Sequence, residues 1–341
     1  MGVALSSILN KREINFAELR DKILVVDGQN MLYQFITTIR QQDGSFLTDS
    51  HGNVTSHLIG LISRISNFLN KKMKLVFVFD GKVPELKHKE LENRKKVKIE
   101  AQKKYEQASS EKNIEDMKKY ASQTSRLTPE MINEAKLLLE ALGIPVIQAP
   151  SEGEAQAAHI VSRGDAYAVV SQDADALLFG GTRVIRNLSI SGRRKRGASY
   201  ESVSPELIEL SKNLNELGID QDQLILLGML IGTDFNPKGI KGIGPKKGIE
   251  LVREYKDPEE LFKQAGWDEN FEIPWKEVFK TFKEMPITND YKIRWSKVNK
   301  EKIIDLLVNK HDFSADRVNS FLEKIESAEK QKLQKSLFEF K

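Results

Sequence analysis

Two pairs of carboxylates are the groups in this sequence best suited to chemistry: Glu152 and Glu154 in "APSEGEAQAA", and Asp173 and Asp175 in "SQDADALLFG". Each pair follows a short apolar run. So do two single acids, Asp27 at the end of "KILVVDG" and Asp80 at the end of "KLVFVFDG". A seventh, Asp234 in "LIGTDFN", closes an apolar stretch that begins near Leu224. Carboxylates gathered in one crevice repel, by about 4 kcal/mol for a pair about 4 Å apart at intermediate dielectric, so a cluster of them needs a cation. With no cysteine and five scattered histidines, the available ligands are oxygens. The ions that fit are hard divalent cations, Mg²⁺ or Mn²⁺ in preference to zinc. Two such ions about 4 Å apart can stabilise both the attacking and the leaving oxygen of an in-line displacement at phosphorus. A phosphatase with an aspartyl nucleophile also uses Asp-X-Asp, but it wants the pair at the first strand with a lysine nearby, and both pairs here come later.

The elements that must bring these acids together show as periodicities. Residues 22–28, 74–81, 144–149 and 166–171 are short apolar runs that read as buried strands. Between the first two, Leu58, Leu61, Ile62, Ile65, Phe68 and Leu69 recur at helical spacing, and residues 152–161 form a helix between the last two. The alternation predicts an α/β fold with a central, mostly parallel sheet flanked by helices. In such sheets ligands bind beyond the carboxyl ends of the strands, which is where six of the seven acids fall.

Three segments stand apart. Residues 85–127 hold few large apolar side chains and many lysines, with no proline until Pro129, which predicts a helical insertion that stands away from the body. Residues 239–255 form a glycine-punctuated turn with Pro245 at a helix start, and its free amides beside Lys246 and Lys247 suit a phosphate. It matches neither a P-loop nor a dinucleotide fingerprint, so a nucleotide cofactor is not expected. The run Arg193–Arg196, flanked by Gly192 and Gly197 after a strand-like stretch, reads as a basic turn. Beyond Ser327 a polar helix leads to Leu337, Phe338 and Phe340, apolar residues placed to enter a partner's pocket.

Composition narrows the class further. The 341 residues are 40% hydrophobic, and 53 bases against 49 acids give a net charge of +4, so the distribution of charge matters more than its sum. No apolar run approaches a membrane span, the N-terminus lacks a signal-peptide core, and the Met1-Gly2 start has no basic cluster to support a lipid anchor.

The sequence resembles the structure-specific 5′ flap endonucleases, most closely the archaeal members. The motifs are "VVDGQNMLYQF", "VTSHLIGL", "VFVFDGKVPELKHKELENR", "APSEGEAQAA", "SQDADALLFG" and "GMLIGTDFNPKGIKGIGPKKG", in family order from Met1 to about Tyr255. The resemblance implies an enzyme with two Mg²⁺ ions, Mn²⁺ as a substitute, that hydrolyses one phosphodiester at the junction of duplex and 5′ single strand. It would leave a 5′-phosphate and a 3′-hydroxyl, act also as a 5′–3′ exonuclease, and serve Okazaki-fragment processing and base-excision repair. Asp27, Asp80, Glu152, Glu154, Asp173, Asp175 and Asp234 match the family's metal-site acids; the match does not divide them between the two ions, and we expect Asp80 and Glu154 to lean to one and Asp173 and Asp175 to the other. Lys87 and Arg94 match the cations at the base of the family's helical arch, and Tyr33 matches an aromatic that stacks on a nucleotide near the metals.

The same resemblance places DNA contacts at Gly2, Arg40, Thr55, Arg64, Gly242, Gly244, Lys246 and Lys247, with K⁺ at the helix-turn-helix element of about residues 228–256. It makes residues 1–329 one nuclease domain, with the arch at about 85–127 and a clamp-binding tail at 330–341. Gln334, Leu337 and Phe340 fit the box that docks on the sliding clamp (PCNA), although Lys341 stands where a second aromatic is usual. Gly28, Val83 and Ala174 also depart from the family's common residues without removing a charge. The expected partner is branched duplex DNA carrying a 5′ flap, with no membrane contact, and the expected place is the cytoplasm, at the archaeal nucleoid, or the nucleus in a eukaryote. A sibling nuclease and a non-catalytic DNA-binding scaffold are the competing readings.

Overall fold

The computed structural model describes residues 3–111, 113–189, 192–196 and 199–338. Nine strands form, in chain order β1 (Arg12–Glu13), β2 (Ile23–Asp27), β3 (Lys74–Phe79), β4 (Val146–Gln148), β5 (Ala168–Val170), β6 (Arg183–Arg186), β7 (Gly192–Arg196), β8 (Ser199–Val203) and β9 (Glu206–Glu209). Seven build one sheet in the order β1-β9-β6-β5-β2-β3-β4. The β2–β3, β2–β5, β3–β4 and β5–β6 pairs are parallel, while β9 runs antiparallel to β6 and β1 antiparallel to β9. The expected mostly parallel sheet is therefore present, extended at one edge by two antiparallel strands that the sequence did not announce.

The strands are apolar throughout because both faces of the sheet are covered. Val25, Val76, Val78, Val169 and Val184 enter one core with α6 (Gly153–Ser162) and α8 (Gln221–Ile231); α7 (Leu210–Leu217) lies between these two in the chain and α9 (Pro245–Glu254) follows them. The alternate residues Leu24, Val26, Leu75, Phe77, Phe79 and Val170 enter the other, with α1 (Gly28–Thr38), α2 (Ser56–Asn70), α5 (Pro129–Ala141) and the last helix, Ala315–Phe338.

The basic insertion is helical as expected: α3 (His88–Ser110) pairs with α4 (Ile114–Ala121), and small buried residues, Ala101, Ala108 and Ala121, let the two approach without a large apolar face. The run Arg193–Arg196 is corrected. It lies in strand β7, whose backbone register pairs Arg194 with Glu201 of β8 in a two-stranded antiparallel ribbon, not in a turn.

One buried polar cluster ties the two ends of the chain together. His311 Nδ1 lies 2.8 Å from Asp49 Oδ2 and its Nε2 3.1 Å from Glu134 Oε1, while Lys310 Nζ reaches Glu134 at 2.7 Å. His57, fully buried, faces Glu134 at 3.5 Å. The His57 ring, and then the Lys310 ammonium, hold the Glu134 carboxyl down at about 2 against burial, which pushes it up. A depressed carboxyl contributes stability above its unfolded value and loses it as pH falls toward the folded one. Glu134→Gln should therefore cost about 1–2 kcal/mol at pH 6, after allowance for partial solvent screening. Denaturant unfolding of both proteins should show that difference shrinking toward zero between pH 4.5 and pH 2.

Candidate active site

The carboxyl edge of the sheet collects the acids as the strand order demands. Asp27 ends β2 and caps α1, its Oδ1 accepting the Asn30 amide at 3.0 Å. Asp80 follows β3 and accepts the Gly153 amide at 2.6 Å. A Cβ at residue 153 would stand 2.7 Å from that same Asp80 oxygen, so a side chain there would displace the Asp80 carboxylate. Glu152 precedes α6 and Glu154 lies in its first turn, accepting the Ser171 hydroxyl at 3.3 Å. Asp173 and Asp175 follow β5, and Asp175 Oδ1 takes the Val3 amide at 2.7 Å. Asp234 enters through the turn after α8, where Gly232 adopts φ +115 and the Thr233 hydroxyl lies 2.6 Å from Asn236 Oδ1.

Five of the seven carboxyls are raised. Burial, then the charge of Asp80, raises Asp27 to about 8, and burial, then Asp173, raises Asp175 to about 7. Glu154 is pushed well above the usual range by burial and by Asp175, Asp27 and Asp173, and burial likewise raises Asp80 and Glu152. Each shift records the cost of keeping charge in a shielded, like-charged crevice.

Two cations from the base of the insertion answer part of that charge. Lys87 Nζ reaches Glu152 at 2.5 Å and Asp234 at 3.2 Å, while the Arg94 guanidinium pairs with Asp234 and donates to Glu90 at 2.8 Å. Burial works to lower the Lys87 ammonium, but Glu152 and Asp234 outweigh it and hold it up. Seven carboxylates outnumber the two cations Lys87 and Arg94, and Arg94 is shared with Glu90.

Donor chemistry fits hard divalent cations: every candidate ligand is a carboxylate oxygen, and the chain has no cysteine. Among the described residues no three acids or histidines stand together as a ready-made cage for a metal ion.

The other expected contacts divide. Tyr33 is exposed on α1 with Lys98 Nζ 5.0 Å from its ring centre, so it is not a core tyrosine. Gly242, Gly244, Lys246 and Lys247 are exposed at the amino end of α9, and Arg64 is half-buried on α2. Thr55 is buried with its hydroxyl on the Leu47 carbonyl, and Arg40 is half-buried, bonded to the Gly44 carbonyl and the Ser125 hydroxyl and lying over the Phe46 ring. Both hold the 40–55 loop together. Gly2 and Phe340 lie outside the described residues, and Gln334 and Leu337 are described only as backbone of the last helix. Missing from the expectation were the polar residues that hold the acids, Asn30 and Ser171. Their signal was an asparagine three residues after a strand-end aspartate, and a serine opening the Asp-X-Asp loop.

A strand-edge carboxylate cluster beside a basic helical insertion defines a nuclease. Residues 1–101 match the XPG N-terminal domain and residues 143–234 the XPG I-region. The chain is 46% identical to flap endonuclease 1 of Thermofilum pendens, covering 97% of this chain and 96% of that one, and 47% identical to that of Hyperthermus butylicus, covering 96% and 95%. Its structure is similar to that of flap endonuclease-1 from Methanococcus jannaschii, with a TM-score of 0.76 at 39% identity over 97% of this chain and 100% of that one. The chain belongs to the flap endonuclease 1 family. As a member it is a structure-specific 5′ flap endonuclease, a phosphodiester hydrolase of DNA replication and repair.

Proposed function

We propose that two Mg²⁺ ions, replaceable by Mn²⁺, bind between Asp27, Asp80, Glu152, Glu154, Asp173, Asp175 and Asp234, with Asp80 and Glu154 favouring one and Asp173 and Asp175 the other. The observation that supports this is the raised carboxyls of Asp27, Glu154 and Asp175, which sit in a crevice short of positive charge. When bound, such ions stabilise the attacking and leaving oxygens at the scissile phosphate. The chain's own residues do the rest. Lys87 and Arg94 face the same phosphate from the arch base and stabilise charge developing on its oxygens. Tyr33, exposed beside them, stacks on the nucleotide next to the cut, a contact of about 1–3 kcal/mol. Gly242, Gly244, Lys246 and Lys247 grip duplex backbone by freed amides and charge, without reading sequence, and K⁺ accompanies that turn.

In this reading residues 1–329 are one nuclease domain that also trims as a 5′–3′ exonuclease. The tail from residue 330 docks on a sliding clamp through Gln334, Leu337 and Phe340, which brings the enzyme to Okazaki fragments at the nucleoid. Among the described residues no helix is long and apolar enough to cross a membrane.

A duplex with a labelled 5′ flap and a one-nucleotide 3′ flap tests the reading. Mg²⁺ should release the flap as one discrete product and EDTA should abolish release. A ladder of mononucleotides would favour a processive exonuclease, and binding without cleavage a scaffold. Affinity for the same DNA should fall with salt at a log–log slope of about −0.9 per phosphate neutralised, and a slope near zero would remove the backbone contacts.

A further inference from the structure

Asn30 makes three hydrogen bonds at the carboxyl edge, each to a different part of the candidate metal site. Its backbone amide donates to Asp27 Oδ1 at 3.0 Å, its side-chain Nδ2 donates to Asp173 Oδ2 at 3.0 Å, and its Oδ1 accepts the Gln172 amide at 3.3 Å. One side chain on the first turn of α1 therefore fixes the loop that follows β5, 143 residues away in sequence. The bonds are directional. The donor on Asp173 Oδ2 sets the rotation of that carboxylate, and the acceptor for Gln172 sets the backbone that carries it.

The chemistry of the amide fits this task. A lysine here would neutralise Asp173 and compete with a divalent cation. A neutral amide holds the carboxylate by one oxygen, leaves its charge intact and leaves the second oxygen unclaimed by Asn30. Ser171 reinforces the same loop, donating to Glu154 at 3.3 Å and accepting the Asp173 amide at 3.3 Å.

We propose that Asn30 is a positioning residue that presets Asp173 for one divalent cation and couples Asp27 to the Asp173–Asp175 loop. The inference rests on the two-ion reading above. Removing a side chain that hydrogen-bonds a metal ligand in this way changes metal affinity by about 10- to 100-fold.

Mn²⁺ titration followed by electron paramagnetic resonance of the free ion tests this without relying on turnover. Asn30→Leu should weaken one Mn²⁺ step by about 10-fold and lower kcat while leaving flap affinity in EDTA within about 2-fold. In an Asp173→Ala background the same change should cost nothing further, since Asn30 acts through that carboxylate. Unaltered Mn²⁺ binding in Asn30→Leu, or an undiminished effect in the Asp173→Ala background, would overturn the proposal. If Asn30→Leu does not fold, Asn30→Ser, too short to reach Asp173, gives the same comparison. Failure of the wild-type protein to bind Mn²⁺ would instead sink the two-ion reading, a separate result.

Discussion

Asp175→Asn should abolish flap cleavage, by ~10³-fold or more, and at the same time raise the melting temperature of the metal-free protein. The two effects share one cause. Asp175 is buried, and burial with the charge of Asp173 lifts its carboxyl to about 7. A carboxyl raised in the fold loses stability as pH climbs from its unfolded value toward the folded one, so near neutral pH the metal-free protein bears most of that cost. Asparagine removes the charge yet keeps an oxygen to accept the Val3 amide, which Asp175 takes at 2.7 Å, so the N-terminal anchor survives. The gain should be about 2 kcal/mol, a few degrees in Tm, shrinking as Mg²⁺ is added to the wild type. Single-turnover cleavage, flap binding in EDTA and calorimetry at pH 7.5 with and without Mg²⁺ read the three quantities. A fall in Tm in the metal-free variant would mean that the carboxylate serves chiefly as a structural anchor for residue 3.

Strands β2, β3, β4 and β5 were legible in the sequence because a sheet covered on both faces leaves unbroken apolar runs, and the acids were legible because they end those runs. The insertion was legible by composition, since lysine-rich helices that pack through alanines cannot hide among core helices. What escaped depends on contacts far apart in sequence. Nothing near Arg40 announces Ser125, to which it bonds across 85 residues, and nothing near Asp49 announces His311, 262 residues on. The resemblance places DNA contacts at Arg40 and Thr55, and only the folded chain shows the bonds they make to the Gly44 and Leu47 carbonyls of their own loop. Strands β1 and β9 escaped for a different reason: at two and four residues they are too short to display a period, and β1 exists only because β9 lies beside it.

Lys87→Ala should lower kcat by about 10²–10³ and weaken flap binding only a few-fold, because its work is done on charge that develops at the phosphate. The structure adds a second expectation of opposite sign to that of Asp175→Asn. Lys87 lies between Glu152 and Asp234, so its loss strips a counter-ion from an already crowded crevice and should lower Tm in the absence of metal. Saturating Mg²⁺ should recover much of that loss, since divalent cations then answer the charge that Lys87 no longer meets. Arg94→Ala should resemble it more weakly, because Arg94 divides its bonds between Asp234 and Glu90 and is the more exposed of the two. Both cations bind Asp234, so their effects on kcat should not multiply: the double variant should fall short of the product of the single losses. Strict multiplication would mean that Lys87 and Arg94 act on different atoms of the substrate. A loss confined to binding, with kcat intact, would reduce both to guides for the incoming strand.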